Sequence, residues 1–235
     1  MRTRLTALVV LGVLAGLLVG SPAGARELPV RPVSHTSAAA ADDDAVVLPS
    51  RVANAITRAT NLLDLAGTSV DTGDTAKAVA SVKGLQKALA RADRAAREQM
   101  NAPADPNAEE GATPGPDSVI AVLTLDQTVI TSLADLFDGK SGTFVIGASS
   151  ALTATMNARE KLLASVTSLP AEGAGADYSD GMADTLTGYD DEVANIRAAL
   201  SGDALSSGGK SALTTALAQS KKTRAAVNAA FGGGE

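Results

Sequence analysis

The sequence predicts an all-α fold: a six-helix bundle built from three consecutive antiparallel αα-hairpins, preceded by a cleaved signal peptide and a disordered leader. Three observations carry that expectation. Apolar residues recur at steps of three and four through six successive segments, the signature of helices that bury one face. Glycine-bearing turns at Gly73, Gly139 and Gly202 fall at near-regular intervals, each between two amphipathic stretches of similar length. Apolar residues form 45% of the 235-residue chain but aromatics only 2%, so the core must be built from Ala, Leu, Val and Ile, a palette suited to closely spaced helices.

Residues 1–25 carry the features of a Sec-type signal. Arg2 and Arg4 precede an apolar run from about Leu5 to Val19, and Ser21-Pro22-Ala23-Gly24-Ala25 supplies an A-x-A pattern, which predicts cleavage after Ala25. The two arginines are not adjacent, so a twin-arginine route lacks support. The competing reading is an uncleaved anchor, but the run is short for a membrane span. Residues 26–44 hold two prolines, an Ala/Ser/Thr cluster and the acidic run Asp42-Asp43-Asp44, and are read as a disordered leader. The acidic run lacks the spaced ligands and glycine of a calcium loop. The only histidine, His35, lies in this leader.

The folded domain is expected over residues 45–231, with hairpins at about 45–100, 117–169 and 178–231. In the first segment Val52, Ile56, Ala59, Leu63 and Ala66 share a face, with Ser50 as N-cap and Gly67–Gly73 as the following turn. Asp74 caps a second segment whose Val79, Val82, Leu85, Leu89, Ala92, Ala96 and Met100 form an apolar stripe. Residues 101–116, rich in proline and glycine, read as a long loop. The third segment runs from Asp117 to about Phe137, Asp138-Gly139-Lys140-Ser141-Gly142 turns the chain, and the fourth segment ends near Leu169-Pro170. The fifth carries Met182, Leu186, Tyr189, Val193, Ile196 and Leu200 in alternating steps of four and three, a narrow packing seam. The sixth spans about Lys210 to Phe231.

Composition removes several chemistries. The absence of cysteine excludes thiol nucleophiles, thiolate metal sites and disulfides. With no histidine beyond the leader, Ser-His and Cys-His mechanisms and histidine-ligated metals fall as well. There is no G-x-S-x-G elbow, P-loop or H-E-x-x-H sequence. No cofactor and no metal site are expected, and an enzyme ranks third, after a binding or structural module and a ligand carrier. The formal charge of −6 becomes more negative once the signal is removed, which argues against general nucleic-acid binding. No stable membrane span is expected after cleavage. The reading is therefore an exported, non-enzymatic helical module of the cell envelope or extracellular space, with an envelope or extracellular partner.

Two groups of residues are candidate sites. Lys83, Lys87, Arg91 and Arg94 lie opposite the apolar stripe of the second segment, with Lys77 and Arg97 near its edges. They form either a face for an anionic partner or an ordinary solvated surface; no aromatic residues interleave them. The other group is polar residues placed within apolar faces. Asp126 falls among Val119, Val122, Leu123, Val129, Ile130, Leu133 and Phe137, and Arg159 among Ala148, Leu152, Leu162, Leu163 and Val166. Ser220 and Arg224 sit among Leu213, Leu217, Val227 and Phe231. Buried charges need partners, so an ion pair between Asp126 and Arg159 is expected. The group is either a self-satisfied network or the lining of a pocket for a small polar or anionic ligand. Asp184, Asp190, Asp191 and Glu192 do not share one helix face and are expected in solvent.

Overall fold

The computed structural model describes residues 48–101, 114–169 and 176–231. The segments expected to be signal peptide and leader, with His35 and Asp42–Asp44, and residues 102–113 of the expected 101–116 loop lie outside the described residues. Among the described residues there are six helices: α1 (Ser50–Asp71), α2 (Thr75–Met100), α3 (Pro114–Asp135), α4 (Gly142–Thr167), α5 (Ala176–Leu200) and α6 (Ser207–Phe231). Among the described residues there is no strand.

The helix ends show how local chemistry sets the boundaries. Pro49, not Ser50, is the N-cap of α1, and the helix continues through Gly67 to Asp71. One glycine costs a helix only about 1 kcal/mol, and the burial of Ala66 and Ser69 on either side outweighs it. The turn is confined to Thr72–Asp74, where Gly73 takes a φ of 75° that a side chain would disfavour. Asp74 caps α2 as expected, its carboxylate accepting from the Lys77 N–H at 3.0 Å. Helix α3 starts three residues before Asp117, since Pro114 and Pro116 occupy first-turn positions where a missing N–H costs nothing. Gly139, at φ 63°, turns the chain between α3 and α4.

Direction follows from paired contacts. A Cβ added at Gly181 would collide with Ile120 and one at Gly188 with Gln127, so two positions seven apart on α5 match two positions seven apart on α3. These helices therefore run parallel and close, with glycine on α5 making room for α3. Val145 meets Gly208, and Glu160 pairs with Lys222, which sets α4 parallel to α6. Arg51 reaches Glu98 across the antiparallel pair α1 and α2. Helices α3, α5, α6 and α4 follow one another around a four-helix bundle, so α4 and α5 face each other across its diagonal. Helix α2 lies against α3 and α4, and α1 against α2 and α3. One hydrophobic cluster runs through all six helices. Helix α3 alone among the described residues is long and apolar enough to cross a bilayer, and 67% of its most apolar window is buried inside the protein.

Candidate functional site

The four-helix part of the bundle holds a polar cluster at its centre. Arg159 on α4 is 0% exposed, Asp126 on α3 is 3% exposed, and Glu192 on α5 is 1% exposed. Ser220 on α6 and Thr155 on α4 are also buried. Asp126, Arg159, Glu192 and Ser220 each come from the buried face of a different helix.

The arginine does not pair with Asp126. Arg159 Nη1 donates to Glu192 Oε2 at 2.6 Å, across the diagonal of the bundle. Ser220 Oγ donates to the other carboxylate oxygen, Oε1. The Arg159 Cζ lies 5.2 Å from the centroid of the Tyr189 ring, within cation–π range. The expected Asp126–Arg159 pair gives way to a fifth-helix carboxylate because Glu192 is three residues after Tyr189 and four before Ile196, on the buried seam. The expectation that Glu192 sits in solvent is corrected with it. Its neighbours Asp184, Asp190 and Asp191 are exposed. Arg224 is corrected too: it is exposed and bonds Asp190 at 2.5 Å and 3.1 Å, while Ser220, one turn earlier, turns inward.

Asp126 stays close enough to the guanidinium to interact through space without forming an ion pair. Burial pushes its carboxyl well above the usual carboxylate range; Arg159 opposes that shift, and Asp93 on α2 and Glu192 add to it. The layer then holds one guanidinium and one paired carboxylate, with Asp126 as the second carboxyl. Burial works to lower the Arg159 pKa, but Glu192, Tyr189 and Asp126 together hold it above its ordinary value. Burial raises the Tyr189 phenol. Gln127, which donates to the Thr185 carbonyl at 3.1 Å, also acts on that phenol. Arg159 Nε and Nη2 are buried without a hydrogen-bond partner among the described residues.

Two clefts among the described residues lie away from this cluster. One, of about 220 Å³, sits where the α1–α2 and α3–α4 turns meet, lined by Val70, Gly73, Lys140 and Phe144. The other, of about 210 Å³, is a shallow groove between α4 and α6 that includes Met156, Leu163 and Gln219. Neither contains the Arg159–Glu192 pair.

The second candidate site is on the surface. Lys83, Lys87, Arg91 and Arg94 are all exposed along the outer face of α2, and none forms an ion pair with a described residue. Arg97 at the edge pairs with Asp93 at 3.0 Å, and Glu98, one turn beyond Arg94, turns to Arg51 on α1. Residues 48–101 carry eight basic and five acidic side chains, whereas residues 114–231 carry eight and thirteen, so the basic stripe lies on a basic hairpin of an acidic protein. No family model matches the chain, and no curated protein or solved structure matches it.

Proposed function

We propose that this chain is an exported, non-enzymatic helical binding module of the cell envelope or extracellular space. In this reading residues 1–25 are removed after Ala25, residues 26–44 are a leader, and three αα-hairpins within 45–231 form the module. One observation supports it above the others. The interior charges of Arg159 and Glu192 are answered by each other and by Ser220, whereas four cations in one row on α2 form no ion pair with a described residue. Charge committed to the interior supports packing, and charge left free on one face is available to a partner.

A ligand carrier is the second reading, favoured by the two Arg159 nitrogens, Nε and Nη2, that have no hydrogen-bond partner among the described residues. Arg159 lines neither of the two clefts described above, which supports the module over the carrier. Native mass spectrometry of the protein purified from the cells that produce it separates the two. The module predicts a mature chain beginning at Arg26 at its bare mass, recovered with the envelope or medium. A small molecule retained through desalting would instead establish the carrier, and an intact chain in the membrane fraction would overturn cleavage.

A further inference from the structure

We infer that the outer face of α2 is a docking track for an extended, unbranched polyanion, aligned along the helix. This rests on the reading of the chain as a binding module and names the partner class. Lys83, Lys87, Arg91 and Arg94 follow one another at steps of four, four and three. At 1.5 Å of rise per residue they form a row about 16 Å long with cations every ~5–6 Å. Like charges at such spacings along one helix face repel one another. No described carboxylate relieves that repulsion through an ion pair. A linear polyanion laid along the row meets several cations at once and releases its condensed counterions as it does so.

The composition of the face distinguishes this partner from others. The exposed residues beside the cations are small: Ala76, Ala80 and Ala90. The one large exposed hydrophobic residue among those described is Ile146, 71% exposed, and it belongs to α4. A helix that lies in a membrane interface needs a bulky apolar face to insert, and α2 spends its apolar face on the core. Single-stranded nucleic acid is held by aromatic stacking platforms, and no aromatic residue lies on α2. A flexible polymer bearing phosphate, sulfate or carboxylate groups needs neither.

The test is binding of the full mature chain to long-chain inorganic polyphosphate at several salt concentrations. It is run beside vesicles containing phosphatidylglycerol and beside the isolated envelope of the producing cells. The variant K83Q/K87Q/R91Q/R94Q is compared with K161Q/R197Q/K210Q/K221Q, which removes four exposed cations elsewhere. Circular dichroism verifies that both remain helical. The track predicts that the α2 variant loses at least ten-fold in polyphosphate affinity and that its salt slope becomes shallower by about three, while the control variant stays near wild type. Equal losses in both variants would reduce the effect to net charge and overturn the track. So would binding to the vesicles but not to polyphosphate. Binding to the envelope alone overturns the polyanion and leaves the module standing; binding to none of the three overturns both.

Discussion

At the residue scale, the centre of the bundle is governed by which carboxyl answers Arg159. Glu192 does so with its side chain fully buried, and Asp126 stands by without an ion pair. Removing one member of a buried pair strands the other charge, so Arg159→Met or Glu192→Gln alone should cost roughly 3–5 kcal/mol. The double variant should recover much of that loss. Chemical denaturation of the four proteins in this cycle measures the coupling, and a value near zero would break the assignment. Asp126 behaves oppositely. Its pKa is raised in the folded state, so the native protein binds a proton more tightly than the unfolded chain. Its contribution to stability therefore worsens as pH climbs above the unfolded carboxyl value of about 3.9 and levels off only above the folded pKa. Asp126→Asn removes that penalty. The stability advantage of the variant should be smallest near pH 4 and widen toward pH 8, as read by urea denaturation. Burial also raises Asp117 and Asp135, but both are present in either protein and cancel in the difference. An advantage that stays constant across this range would mean that Asp126 titrates normally. The burial of Asp126, Arg159 and Ser220 was legible in the sequence because each interrupts an apolar stripe. Glu192 was obscured by two acidic neighbours, although the four–three–four run Thr185, Tyr189, Glu192, Ile196 placed it on the seam.

At the scale of elements, periodicity located all six helices, and the departures are at their ends. The apolar stripes of α1 and α2 are buried or half-buried throughout, as their spacing requires. Gly67 looked like the start of a turn, but helix propensity is a weak term, and the buried residues on both sides carry the helix past it. The prolines before Asp117 looked like loop, yet proline is well suited to a first turn. Which helices lie side by side was not legible. Sequence order suggests that α3 packs chiefly on α4, the next helix in the chain, whereas α3 makes its closest approach to α5. That approach depends on Gly181 and Gly188 facing Ile120 and Gln127, a match between two distant segments that no single stripe reveals. It also explains the charge pairing, because bringing α5 beside α3 puts Glu192 across from α4. A diagonal pair of this kind follows from the order of helices around the bundle, which local patterning leaves open.

At the scale of the whole molecule, the question is whether the basic hairpin of α1 and α2 and the four-helix bundle behave as one body. A surface presented to a partner on a hairpin that opens by itself would lose alignment with each opening. The core argues for one body, since α2 lies against both α3 and α4, and Val82, Leu85 and Leu89 belong to the same cluster as Leu123, Ile130 and Leu152. Burying a shared interface couples the unfolding of the parts that share it. The chain supplies its own reporter: it has no tryptophan, and its two tyrosines, Tyr178 and Tyr189, both lie in α5. Tyrosine fluorescence therefore follows the bundle, whereas far-ultraviolet circular dichroism follows every helix. Leu85→Ala truncates a fully buried side chain of α2 and should cost about 2–5 kcal/mol. If the molecule is one cooperative unit, that change shifts the fluorescence and dichroism midpoints together, even though the substitution lies on a different helix from either tyrosine. If α1 and α2 open independently, dichroism shows an early partial loss while the tyrosine transition stays where it was. Coincident transitions are expected, because removing α2 would expose to water the apolar α3 and α4 surfaces that it covers.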